Sequence, residues 1–173
     1  FREGLARLGE RGYTFDAWHF HDQNPAFHAL AAAVPETTII LDHFGTPIGS
    51  GPDSKNREEI YTEWQNDITD IAKCPNVIAK LGGLAMPFNG FGWDQRAIPP
   101  TSDEFVEMQQ RYYDHTIQCF GAERCMFESN FPVDKCALSY TVLWNAFKKM
   151  SARYSEAEKD RMFRGTATEI YQL

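Results

Sequence analysis

The sequence predicts an α/β fold, and three observations point to it. Short apolar, β-branched or aromatic runs alternate with segments of helical periodicity, in the order α followed by four repeats of β then α. The runs TTIILD at 37–42 and NVIAKL at 76–81 are almost continuously apolar, as strands of a parallel sheet covered on both faces are. Between these segments lie clusters of Gly, Pro, Asn and Asp, which interrupt helices and strands for steric reasons.

Residues 1–11 read as a helix with Leu5 and Leu8 on one side. YTFDAWHF at 13–20, bounded by Gly12 and by the Asp22 to Pro25 stretch, reads as the first strand. Pro25 suits the first turn of a helix, AFHALAAAV continues it, and Pro35 stops it. Residues 37–42 are the second strand. Over 57–73, Ile60, Trp64, Ile68 and Ile71 form the apolar stripe of an amphipathic helix. Pro75 ends it and 76–81 is the third strand. Thr101 or Ser102 caps a helix carrying Phe105, Tyr112, Ile117 and Phe120. RCMFE at 124–128 is the fourth strand, and two closing helices cover roughly 139–152 and 155–163.

Two architectures fit this order, an open doubly wound sheet and part of a closed barrel. No G-x-G-x-x-G or G-x-x-x-x-G-K occurs, which counts against a nucleotide-binding open sheet. With 173 residues, 43% of them apolar, the chain can bury one core, so disorder is excluded. A net charge of −7 with scattered Lys and Arg speaks against nucleic acid as a partner. No run approaches the roughly 18 apolar residues of a membrane span, and no charged-then-apolar leader opens the sequence, so a soluble, cytoplasmic protein is expected. Cys74, Cys119, Cys125 and Cys136 form no C-x-x-C and are expected to be reduced thiols.

In a barrel the chemistry sits where strands end, which singles out His21, His43, Lys80 and Asn130. By period-two alternation Ala17, His19 and His21 share one face of the first strand, opposite Asp16, Trp18 and Phe20. His43 ends the second strand directly before Phe44 and Gly45, with Asp42 on the opposite side. His21 and His43 are therefore expected to converge on one cavity from neighbouring strands. The loop GGLAMPFNGFGWDQRAIPP at 82–100 exceeds ordinary connections and reads either as a lid hinged at Gly90 and Gly92 or as an aromatic cap. Asp134 and Lys135 follow Pro132 in the last strand's loop and read either as substrate contacts or, by preference, as surface charge.

FDAWHFHDQ, IILDHFGTP, NVIAKLGGL and CMFESNFPVDK resemble, in order and spacing, the successive strand ends of amidohydrolase-related proteins of the lactonase and decarboxylase branch. The resemblance covers nearly the whole chain. It implies a partial TIM (β/α)8 barrel, strands five to eight with their helices. Residues 1–173 would be a single domain, the carboxy-terminal half, with the amino-terminal half and its first-strand H-x-H metal pair outside this sequence. In metal-using relatives the fifth-strand His is a metal ligand, and the sixth-strand His polarises the substrate carbonyl or moves a proton. These roles fall to His21 and His43. His19-Phe20-His21 itself has the H-x-H form, but its place matches the fifth strand, so His19 becomes a layer residue within reach of substrate.

The chain departs from the family at the last strand, with Glu128-Ser129-Asn130 where Gly-Ser-Asp is usual. An amide cannot act as a base near neutral pH. Glu128 lies two residues before Asn130, on the same strand face, and is expected to supply the displaced carboxylate while Asn130 orients substrate or water. The alternative is a structural acid paired with Lys80 or an arginine. Lys80 in turn either binds a substrate carboxylate or pairs internally. The expected set is thus His43, Glu128 and Asn130 for catalysis, Lys80, Trp93 and His19 for substrate, and His21 for a divalent metal such as zinc, or no metal at all. The implied activity is hydrolysis of a lactone or related cyclic ester or amide of a small acidic substrate, with a metal-dependent decarboxylase and a catalytically silent binding module as alternatives. Open strand edges would favour self-association into a homo-oligomer.

Overall fold

The computed structural model describes residues 1–173. Strands β1 (Phe15–Ala17), β2 (Ile39–Leu41), β3 (Val77–Leu81) and β4 (Cys125–Phe127) form one parallel sheet in the order β1-β2-β3-β4. The order never reverses, so every crossover advances the same way around the sheet, as in a barrel; a doubly wound sheet reverses at its switch point. The helices are α1 (Arg2–Gly9), α2 (Asn24–Ala33), α3 (Arg57–Ile71), α4 (Ser102–Phe120), α5 (Tyr140–Met150), α6 (Glu156–Asp160) and α7 (Thr166–Tyr171). None is long and apolar enough to cross a membrane.

Strand alternation divides the sheet into two faces. Ile39, Leu41, Val77, Ala79, Leu81, Cys125 and Phe127 join the main core with the buried stripe of α3 and with Phe105, Tyr113, Leu143 and Phe147 from α4 and α5. Ile40, Ile78 and Met126 point the other way and are covered by Ala167, Ile170 and Tyr171 at the chain's end. That second face carries the charge. Lys80 Nζ lies 2.5 Å from Asp16 Oδ1 and 3.2 Å from Asp42 Oδ1, and the Tyr171 hydroxyl donates to Asp16 at 2.6 Å.

Two expectations about the elements need correction. β1 stops at Ala17 instead of running to residue 20, because its partner β2 stops at Leu41 and leaves Trp18 to Phe20 without a ladder. The closing helices run past 163, through a π-turn at Arg161–Gly165 into α7, which is too short to show helical periodicity in the sequence.

Asn76 ties α2 to the sheet, its Nδ2 donating to the carbonyls of Ala31, Val34 and Thr37 at 3.2, 3.1 and 3.0 Å. Asn76→Ala leaves these acceptors short of a donor and is expected to destabilise the protein by about 1–3 kcal/mol. Chemical denaturation measures this; an unchanged midpoint would show that the clasp contributes nothing.

Candidate active site

The site begins where β2 ends. Directly after Leu41 the chain turns through Asp42–Gly45 with His43 at φ 52° and Phe44 at φ 59°, both in the left-handed region. Non-glycine residues rarely adopt it, and here it re-aims two side chains. Phe44 goes fully into the core, where its carbonyl accepts the Trp64 indole N–H at 2.7 Å. His43 turns to the charged face instead, so Asp42 and His43 serve the same side and the alternation expected for them fails once the strand is over.

His43 Nδ1 is hydrogen-bonded to Glu128 Oε1, which follows the end of β4. The pair sits on a floor of two glycines at the end of β3. A Cβ at Gly83, where φ is +80°, would lie 2.4 Å from His43 Nδ1, and one at Gly82 would lie 2.2 Å from the Glu128 carbonyl oxygen. Neither space admits a side chain. The His43 and Glu128 side chains are 14% and 17% exposed, so the pair is mostly enclosed but reached from solvent.

Burial pulls the His43 pKa down, but the hydrogen bond and charge of Glu128, reinforced by Asp42 and Asp134, more than offset it and leave the imidazole above its ordinary value. Asp134 is not the surface charge expected: it is completely buried, and Oδ1 accepts from Asn130 Nδ2 at 2.8 Å. Burial pushes its carboxyl up to about 6, against the downward pull of the hydrogen bonds from Asn130 and the Ala85 backbone and of the His43 charge. Asn130 also has a left-handed backbone, at φ 51°.

The structure thus brings His43, Glu128, Asn130 and Asp134 together. It does not bring the other expected residues with them. His21 makes its contacts apart from the His43–Glu128 hydrogen bond: its Nδ1 accepts the Ile48 N–H at 3.3 Å, and it lines an open groove of about 460 Å³ with Glu63, Asn66 and Asp67 of α3. The cause is again the early end of β1, which removes His21 from strand alternation. His19 lies on the helix side, stacked on Phe27 at 4.8 Å with its Nε2 2.9 Å from Asn24 Oδ1, as a layer residue would be. Lys80 is engaged by Asp16 and Asp42 and not by Glu128, which is the internal pairing that the sequence left as one of its two readings. Trp93 is buried between Phe91 at 5.1 Å and Phe105 at 5.4 Å. The loop around it is the packed cap and not the lid, since Arg57 donates to the carbonyls of Asn89 and Gly90 at 2.9 and 2.6 Å and lies 4.6 Å from the Phe91 ring centre.

The donor set of this chain does not by itself fit a metal ion. No group of three His, Cys, Asp or Glu side chains is placed to hold one, His21 is in a different environment, and His43 Nδ1 and Glu128 engage each other. What these residues can do without it is move protons: a carboxylate fixes one imidazole nitrogen and leaves the other facing outward.

Residues 1–173 match the family described as Amidohydrolase. The chain is 33% identical over 173 residues to an uncharacterized protein of Sinorhizobium fredii and 28% identical over 174 residues to an L-fucono-1,5-lactonase of Burkholderia multivorans. It covers 100% of itself in both alignments, but 52% and 56% of those proteins, so it spans about half the length of the curated relatives it matches. Crystal structures of a Burkholderia multivorans amidohydrolase superpose with a TM-score of 0.87 for a form with bound HEPES, at 26% identity, and 0.84 for a form with bound zinc, at 28%. Each is covered over 57% of its chain.

Proposed function

Because this chain belongs to the amidohydrolase family, we propose that the whole protein hydrolyses a lactone or a related cyclic ester, with His43 and Glu128 as the acting pair. The observation that carries the proposal is the His43 to Glu128 hydrogen bond across the strand ends, with both side chains partly exposed. Glu128 Oε2 takes a proton from a water molecule as that water adds to the acyl carbon. The ring C–O bond of the tetrahedral intermediate then breaks, and the leaving alkoxide takes the proton from Nε2 of the His43 imidazolium. The product is the open hydroxy acid, and proton exchange with solvent resets the pair.

An uncharged substrate suits this half of the site better than an acidic one. Asp42, Glu128 and Asp134 all face His43, and Lys80 is already paired. The lactonase among the relatives supports the ester class.

The test is a panel of uncharged lactones given to the whole protein, with acid release followed by titration at constant pH. Hydrolysis is expected, and His43→Asn is expected to lower kcat by about 10²–10⁴-fold, the usual contribution of a positioned proton donor. Release of CO₂ from an acid in place of lactone opening, or full activity in His43→Asn, would overturn the reading.

A further inference from the structure

Nothing in the proposed chemistry requires a buried acid at position 134. Yet Asp134 is completely enclosed, with one side-chain hydrogen bond, to Asn130, and the Ala85 backbone N–H as the other group that favours its charge. A buried carboxylate is costly to keep, so a compensating role is indicated.

We propose that Asp134 is a positioning residue that fixes which end of the Asn130 amide faces the cleft. A side-chain amide has a donor end and an acceptor end of nearly equal size, and its partners decide the orientation. An ionised carboxylate accepts and cannot donate, so Nδ2 must face Asp134 and Oδ1 must face away. Asn130 is only partly buried, lies two residues beyond Glu128, and is bonded to Asp134, which is near enough to His43 and Glu128 to act on their charge. The cleft therefore offers a fixed acceptor that selects a hydroxyl or the attacking water and rejects a carbonyl at the same place.

The arrangement also accounts for an amide at position 130, where the family resemblance implies a carboxylate. A carboxylate there would stand against Asp134, with Glu128 near both, whereas an amide satisfies the buried acid. The titratable groups facing Asp134 are His43 from the turn after β2, Glu128 after β4 and Tyr113 from α4, with Cys136 on its own turn. At neutral pH this environment leaves Asp134 mostly ionised, as the orientation of Asn130 requires.

The role of Asp134 in catalysis rests on the proposed hydrolysis, but its hold on Asn130 does not. The experiment therefore has two readouts. In the whole protein labelled with [¹⁵N]asparagine at neutral pH, the Asn130 side-chain amide is expected to show one proton shifted downfield by the carboxylate and protected from exchange. Asp134→Asn, whose amide can present either end to Asn130 and carries no charge, is expected to reduce that shift and protection while leaving the buried Asn89 amide, bonded to the Pro47 carbonyl, unchanged as a control for folding. With a turned-over lactone in hand, Asp134→Asn is expected to raise KM about tenfold, the worth of one misdirected hydrogen bond, with a smaller effect on kcat. An Asn130 signal indifferent to Asp134→Asn overturns the positioning role. Failure to find any lactone substrate, with the Asn130 signal responding as stated, removes the hydrolase reading and leaves the positioning role standing.

Discussion

Glu128→Gln in the whole protein is expected to lower kcat for lactone opening by about 10²–10⁴-fold with little change in stability. The exchange keeps the shape of the side chain and its oxygen acceptor for His43 Nδ1, but removes the charge and the basic oxygen. Its pH dependence carries a second signature. His43 sits above its ordinary value of 6.5, with Glu128 the chief group raising it against burial. An imidazolium acting as proton donor loses activity as pH rises through its pKa, so wild type has an alkaline limb above 6.5. Without the Glu128 charge, burial dominates and any residual activity shows that limb at lower pH. The linkage to stability has the same sign: a raised folded-state pKa stabilises the fold below the unfolded value and loses that contribution as pH rises through the folded one. Wild-type kcat in Glu128→Gln would mean that the carboxylate is structural and the base lies elsewhere.

Gly83→Ala should be nearly as damaging although Gly83 carries no chemistry. Its added Cβ would stand 2.4, 2.5 and 2.9 Å from Nδ1, Cγ and Cβ of His43, at a backbone φ of +80° that favours glycine. The imidazole must move, and displacement of a reacting group by about 1 Å commonly costs on the order of 10²-fold in rate. Alanine at positive φ also strains the backbone by about 1–2 kcal/mol. The measurement is kcat alongside a thermal melt. A variant folded at the assay temperature and fully active would show that the glycine floor does not place His43.

How much of this was legible in the sequence follows from what each signal depends on. Strand and helix alternation was readable because apolar periodicity is local: the stripe at Ile60, Trp64, Ile68 and Ile71 is buried as its spacing required. The length of β1 was not, since it depends on where β2 stops, and the error carried His19 and His21 into an alternation the chain had already left. His43 and Glu128 were singled out because strand ends are where barrels place chemistry and because Glu128-Ser129-Asn130 is unusual, and the structure puts the two in contact. Asp134 gave no signal, for an acid next to Lys135 after a Pro-Val pair looks like solvated surface until the turn folds it inward. Gly82 and Gly83 did leave one, since paired glycines directly after a strand often mark a close approach of neighbouring groups. The roles of Lys80 and Trp93 turn on partners distant in sequence, Asp16 and Asp42 for one and Phe105 for the other.

The coupling of His43 to Glu128 is open to one direct measurement, the NMR titration of the His43 imidazole in the whole protein, with and without Glu128→Gln. A wild-type pKa above 6.5 that falls when the Glu128 charge is removed is the expected outcome. Identical titration curves in the two proteins would mean that the side chains do not act on each other, and the proposed chemistry would have no pair to run on.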